Sequence, residues 1–570
     1  MKDPTAAPAP WLLETLRDLR ATLERIEVEE AACLEAIHPD HRASARNLLH
    51  AMAFHRHAHP GLPKALRHRG LSPLTDGDAP LLASLEAVIT ALEALEGLGP
   101  SAAAAQDQPG GPPGLGGPDL LGRRCDRLFG ALAAAGGAGT MVTLPAEAAK
   151  RPALVADLLA AGMTIARIDC AHDDPVVWGR MVDALRAARA ASGRPCAIAM
   201  DLAGPKLRTG QLALQPAVIR ARPPRDRMGR PTQPVRILAV SPGALPRLQD
   251  TDAVLLPARL SKAKRLKQGN RLQGRDASGR RRTLQVVRRG PDGVLLLQAD
   301  KTCHFTSGLV FRQRHGKARL RVGPLAPVSG ERLLRPGDAI RLTPEPDQGA
   351  GTLPCTLPEV FVDLRRGERV LFDDGRIGAV VRRVSAREVR LKVTTARARG
   401  SRLRSDNRIH FPDSDLRTPA LTAKDIEDLA FVTRHADMVN SSFVHRESDI
   451  QTLRQCLEDR GRGDLAVMLR IETRQAFLNL PGLLLAAMAH GAPVAVMIAR
   501  SDLAIECGWE SLAPIQEEIL RICGAAHVPC LWTTLTVLEG IGARTTGDPS
   551  QPLLTCLAFR SNCEGGNPLP

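Results

Sequence analysis

Basic side chains and carboxylates recur in this sequence at the ends of short apolar runs, and together those groups can handle phosphate and metal. The runs end on Arg167, Asp169 and His172, on Asp201, Lys206 and Arg208, and on Ser441 and Ser442. Later runs end on Arg470 and Glu472, on Arg500 and Asp502, and on Thr533 and Thr534. Guanidinium groups present fixed donor forks to phosphate oxygens. Carboxylates brought together from separate strands suit a hard divalent cation, which takes a few of them plus substrate oxygens. The implied chemistry is the handling of an anionic, phosphorylated substrate beside a metal ion. A blander reading applies to each position singly, because strands end where solvent begins.

For these residues to meet, their carriers must lie side by side and point the same way. Strand candidates are Met141–Leu144, Thr164–Cys170, Cys196–Leu202, Asp437–Val444, Leu465–Glu472, Pro493–Arg500 and Val528–Thr534. Helical runs such as Pro152–Ala161, Pro175–Ala191, Ala423–Arg434, Gln475–His490 and Leu512–Ala525 lie between them. Repeated strand–helix units imply a parallel sheet. In a closed (β/α)8 barrel all the C-terminal strand ends share the face on which sites are built. The expected fold class is therefore α/β, a TIM-type barrel with an inserted β-rich domain and an N-terminal all-α domain. Seven units are legible, and no eighth is recognisable.

The boundaries follow from composition. Residues 1–96 read as a helical domain, with Trp11, Leu12, Leu16, Leu19, Leu23 and Ile26 on one helical face. Residues 97–138 read as a Gly- and Pro-rich linker. The barrel occupies 139–210 and 413–542, split by a β-rich insert at 211–412, and 543–570 form a divergent tail. Within the insert, Gly269-Asn270, Gly337-Asp338 and Gly367-Glu368 each precede a strand-like run, a turn used three times.

The chain has 570 residues, 44% hydrophobic and 24% charged, ordinary values for a globular protein. Its net charge of +16 comes from 77 basic residues, 66 of them Arg, against 61 acidic ones, and Tyr is absent. GC-rich coding produces such a bias, so charge alone carries little functional message. The longest uncharged stretch, Ala476–Ala499, is broken by Asn479, Pro481, His490 and Pro493, which excludes a membrane span. The 12 cysteines form no Cys-x-x-Cys pair and read as reduced thiols in a cytoplasmic protein. The basic insert, with Arg280–Arg282 and Lys262–Lys267, raises RNA as a partner. Aromatics for base stacking are scarce there (Phe305, Phe311, Phe361, Phe372 and Phe411), so nucleic acid is not expected. In His55-Arg-His-Ala-His59 only two imidazoles share a helix face, which reads as a solvated helix end and not a metal site. The N-terminal helices are expected to cap the barrel or to mediate homo-oligomerisation.

Several of these segments resemble the pyruvate kinase family, in the family's order. Asp201-Leu-Ala-Gly-Pro-Lys-Leu-Arg-Thr-Gly210 is similar to the segment that ends the third barrel strand before the inserted domain. Arg167-Ile-Asp-Cys-Ala-His172 resembles the Arg-x-Asn-Phe-Ser-His stretch, and Phe372-Asp-Asp-Gly-Arg376 the Asp-Asp-Gly element. Leu421–Leu429, Ser442-Phe443, Arg470-Ile-Glu472 and Ala499–Glu506 follow. The resemblance implies transfer of the phosphoryl group of phosphoenolpyruvate to ADP, giving pyruvate and ATP in glycolysis.

It also implies roles. Glu472 and Asp502 match the carboxylate ligands of Mg2+ (or Mn2+). Arg167 and Arg208 match phosphate-contacting arginines, and Thr534 matches the hydroxyl near the enolate carbon. Ser501 and Asp502 would meet the substrate carboxylate at a helix N-terminus, with Ser442 beside them. Lys206 stands where many members carry Glu, and Lys there goes with independence from K+, so Asp169 and Asp201 become former monovalent-cation positions. Departures accompany these matches. Arg470 replaces the catalytic Lys, Ser501 replaces a Gly, and Asn407-Arg408 replaces a Lys-Gly. Weak activity is therefore expected. The alternatives are a non-catalytic relative that binds phosphoenolpyruvate, Mg2+ or a partner, and a basic nucleic-acid-binding protein.

Overall fold

The computed structural model describes residues 9–75, 79–97, 117–129, 139–241, 252–262, 266–290, 294–344, 346, 351–534 and 555–559. The chain divides into two compact units. One comprises residues 1–207, 357–396 and 408–570, and the other residues 208–356 and 397–407. The insert expected at 211–412 is thus shared out, because Leu357–Ala396 packs with the first unit.

In the first unit, seven parallel strands curl into one sheet: β1 (Gly139–Thr143), β2 (Ile165–Asp169), β3 (Ala197–Asp201), β4 (Met438–Ser441), β5 (Ala466–Ile471), β6 (Val494–Ile498) and β7 (Cys530–Thr534). Each lies within two or three residues of its sequence expectation. An eighth strand, β8 (Thr555–Phe559), runs antiparallel and pairs with β1 and β7. The described residues therefore hold no eighth parallel unit, and a full (β/α)8 repeat is not what closes the strand order. Apolar residues fill both faces of the sheet. Val142, Ile168, Ile198, Val439, Leu469 and Ile498 pack outward against the helices, while Met141, Ile165, Ala199, Met468 and Met497 fill the interior. Burial on both faces is what parallel strands require.

The N-terminal helices α1 (Ala9–Glu29), α2 (Pro39–His57) and α3 (Leu81–Leu95) share a leucine core, with Leu12, Leu16, Leu23, Leu85 and Leu92 fully buried. Helix α2 docks under the sheet at the loops that enter β6 and β7. His41 Nε2 lies 3.3 Å from the Ala492 carbonyl, Ser44 Oγ lies 2.9 Å from His527 Nδ1, and Asn47 Nδ2 donates to the Ala525 carbonyl. The expected capping is what these contacts do, at the N-terminal ends of the strands.

One expectation needs correction. The stretch 97–138 is not all linker, since Gly117–Phe129 form helix α4. Its Leu121, Cys125, Leu128 and Phe129 recur on one helical face and join the interior cluster of the sheet. The Gly and Pro content upstream masked an amphipathic segment only thirteen residues long.

The second unit is built around a seven-stranded, closed, mostly antiparallel β-barrel whose strands fall within residues 235–322. Leu272, Leu284, Leu297, Phe311 and Leu320 fill its core. In this unit the repeated turn is real. Gly269 and Gly337 take φ of +83° and +95°, and the amides two residues earlier donate to Asn270 and Asp338 at 3.0 and 2.8 Å. Gly367 (φ +98°) and Glu368, with Arg365 N at 2.7 Å, repeat the device in the first unit.

Candidate active site

The C-terminal ends of β2 to β7 surround a cavity of about 700 Å3. Arg167, Asp169, Lys206, Arg408, Arg470, Glu472, Ser501 and Asp502 all line it, so most of the residues singled out from sequence converge. The centre of the arrangement is Asp201, which is fully buried. Its Oδ2 accepts from Arg167 Nε (2.9 Å), Arg167 Nη2 (2.6 Å) and Arg470 Nη1 (3.0 Å). Its Oδ1 accepts from Asn440 Nδ2 at 2.5 Å. One carboxylate thus fixes two guanidinium groups, and charge-assisted bonds of this kind hold a side chain in one rotamer.

Arg470 has two further partners. Its Nη1 donates to Ser442 Oγ at 2.9 Å, and its Nη2 lies 2.6 Å from Glu472 Oε1. Ser442 in turn donates to the Leu202 carbonyl, so it positions Arg470 and ties β4 to the loop after β3. Burial opposes the charge on Arg470, but Glu472 and Asp201 outweigh it and hold the guanidinium protonated. Glu472 Oε2 accepts the Phe443 amide at 3.0 Å. Burial pushes the Glu472 carboxyl up, Arg470 pulls it down, and Asp502 pushes it up again.

Asp502 lies in the first turn of the helix Arg500–Cys507. Arg408 Nη1 donates to its Oδ1, and Ser501 Oγ lies 3.4 Å from its Oδ2. Burial also opposes ionisation of Asp169, yet Lys206, Arg167 and the Ala171 amide outweigh it and hold this carboxyl below the ordinary range.

Local folding explains the placement. Asp425, at the third position of the helix Ala423–His435, closes a capping box with Thr422. Its other oxygen accepts the Ala203 amide at 2.8 Å, so this cap also holds the loop that carries Lys206. Gly204 in that loop has φ +65°, and a Cβ there would meet the Phe443 ring at 2.8 Å, so only glycine fits. Arg408 is set by its neighbours Ile409 and His410, which pair with Phe372 and Leu371 at the start of the Asp-Asp-Gly element.

Two expected residues do not join the group in the described structure. Arg208 lies in the second unit, where its Nη1 is 2.9 Å from the Asp406 carbonyl and 3.3 Å from its carboxylate. Thr534 ends β7, and its side chain lies outside the described residues. Sequence reading missed Asn440 and Thr143, which brace Asp201 and Arg167. It flagged Arg408 as a departure without giving it a target. It also missed His410, whose Nδ1 lies 3.0 Å from Glu506 Oε1, and His445, buried at the same mouth with its imidazole held below its usual pKa chiefly by burial.

The carboxylate pair fits a divalent cation by donor chemistry. Glu472 and Asp502 are hard oxygen ligands, and the second raises the first, a like-charge strain that a cation relieves. Arg470 and Arg408 occupy oxygens that such an ion would use. Among the described residues no set of three or more His, Cys, Asp or Glu side chains is arranged around a metal position.

Known proteins resemble this chain over part of its length. The family model for the barrel domain of pyruvate kinase matches residues 317–544. The pyruvate kinase of Chlamydia muridarum is 31% identical over 204 residues, covering 35% of this chain and 40% of that protein. That of Corynebacterium efficiens is 26% identical over 266 residues, covering 44% of this chain and 54% of the relative. Among solved structures, a pyruvate kinase from Cryptosporidium parvum aligns with a TM-score of 0.44 at 15% identity, over 69% of this chain and 57% of that one. The chain spans about half or less of the length of the curated relatives it matches. The strand-end motifs and the sequence matches together make this chain similar to pyruvate kinases over part of its length.

Proposed function

We propose that this protein binds phosphoenolpyruvate and ADP at the strand ends and moves the phosphoryl group between them, as a slow, cytoplasmic pyruvate kinase-like enzyme of glycolysis. The observation that carries the reading is one cavity holding two guanidiniums on Asp201 beside the Glu472–Asp502 carboxylate pair. Arg167 and Arg470 bind and orient the phosphoryl oxygens, and the amides of Ser501 and Asp502 receive the substrate carboxylate at a helix start. Thr534 stands beside the carbon that takes the proton, and Arg208 is assigned to the phosphate by resemblance. A Mg2+ or Mn2+ ion held by Glu472 and Asp502 would neutralise charge on the transferring group. Lys206 near Asp169, and the guanidiniums on Asp201, support independence from K+. The fold reading that goes with this is a (β/α)8-type barrel altered at its last unit.

Slowness follows from Arg470 and Ser501. A misplacement of ~1 Å in such a site can cost ~100-fold in rate, and a broad planar guanidinium meets phosphate differently from an ammonium. In a lactate dehydrogenase-coupled assay, Arg470→Lys and Ser501→Gly should each raise turnover, non-additively because they share one cavity. A second reading, a relative that binds without turnover, is favoured by Arg408 on Asp502. If neither wild type nor the double variant turns over while calorimetry detects phosphoenolpyruvate binding, that reading replaces the first.

A further inference from the structure

We infer that the outer face of the small β-barrel in the second unit is a binding surface for duplex nucleic acid, recognised through its phosphate backbone. Residues 208–356 contain 29 basic and 10 acidic residues, a net of +19 against +16 for the whole chain. Coding bias would spread arginine throughout, yet outside this segment the chain is slightly acidic. The excess is therefore local.

Pairing places much of it in neighbouring rows. Arg321 stands directly opposite Arg259, Arg312 opposite Arg319, and Arg275 opposite Arg281. All six are exposed, while the residues alternating with them, such as Leu272, Phe311 and Leu320, point into the core. Ser261, Arg319, Arg312, Gln273 and Thr283 form one continuous row across five strands. Among the described residues none of the six arginines forms an ion pair, and Asp276, a buried carboxylate of this unit, is taken by Arg282. Like charges directly opposite destabilise a sheet, so the fold tolerates three such pairs against its own stability. A polyanion laid across the rows would relieve the repulsion and release counterions.

The aromatic side chains of this unit choose the kind of polyanion. Phe305 and Phe311 are fully buried, residues 208–356 have no other Phe, Tyr or Trp, and their remaining aromatic rings are the smaller imidazoles of His304 and His315. Single-strand binders need exposed rings for base stacking. A surface of arginines alone reads backbone and shape, which a duplex presents without unstacking.

The test is fluorescence anisotropy of the full chain with labelled 20-bp DNA and RNA duplexes and a 20-nucleotide single strand, from 50 to 200 mM salt. Duplex should bind more tightly than single strand, with log K falling linearly in log salt at a slope near −0.9 per phosphate contacted. The variant R259Q/R312Q/R319Q/R321Q should reduce that slope by about 3 to 4 and weaken binding at least tenfold at 50 mM. Arg56→Gln with Arg67→Gln, on the N-terminal helices, should leave both unchanged. Because the quadruple variant removes repulsion, its melting temperature should not fall, which separates lost binding from lost fold. A preference for DNA or for RNA identifies the source and supports the inference. It is overturned by absent duplex binding at 50 mM, by an unchanged slope in the quadruple variant, by preference for the single strand, or by equal affinity for phosphatidylserine vesicles.

Discussion

At Asp502 a divalent ion would compete with the Arg408 guanidinium for the same oxygen. Arg408 is partly exposed, so the ion pair is a modest obstacle and not a permanent block. Arg408→Gly should therefore raise Mn2+ affinity by about tenfold, the equivalent of ~1.4 kcal/mol. Glu472→Gln should lower it by a similar factor or more. Electron paramagnetic resonance of free Mn2+ measures both, and unchanged affinity in the glycine variant would remove Arg408 from this role. Residue identity at the strand ends was legible because basic groups and carboxylates finish several apolar runs in turn, a recurrence that solvent exposure of single strand ends does not require. That is why Arg167, Asp201, Ser442, Arg470 and Glu472 were read together from sequence. The target of Arg408 was not legible. It follows from a two-residue strand pairing with Leu371 and Phe372, a long-range register that no local pattern encodes.

Among the elements, the strands and long helices announced themselves through period and caps, whereas α4 did not. Its Arg124 shows what the missed helix does. The guanidinium donates to the carbonyls of Ala526 and His527 just after the helix Trp509–Ala525, where a cation also meets the negative helix end. It donates as well to the Asp40 carbonyl and to His41 Nδ1. His41 is consequently held neutral, and burial first, then Arg124, lowers its pKa to about 4. The unfolded chain protonates this imidazole near pH 6.5. Stability from His41 is then fully present above about 6.5 and declines as the pH falls toward 4. The total is at most roughly 3 kcal/mol. Urea unfolding at pH 7, 5.5 and 4.5 should show that decline, and His41→Gln should flatten it. Equal slopes in the two proteins would sink the assignment.

For the whole molecule, two units with separate apolar cores should unfold in separable steps. Salt distinguishes them. At +19, the segment 208–356 repels itself, and screening over a Debye length near 10 Å at 0.1 M relieves this. Raising NaCl from 20 to 500 mM should move the calorimetric transition of that unit upward by several degrees and leave the other nearly still. A uniform shift of both would contradict the separation. The docking of α2 beneath the sheet has a different consequence, for the order of events during synthesis. His41, Asn47 and Ser44 meet partners 451, 478 and 483 positions later in the chain. At ~5–20 residues per second, a ribosome delivers those partners about 25–100 s after the helices have emerged. The three helices can bury their leucines against one another at once, but the polar face with His41, Ser44 and Asn47 must wait, hydrated, for a surface still unmade. Helices made hundreds of residues ahead of their partners are thus among the last elements to be locked in place.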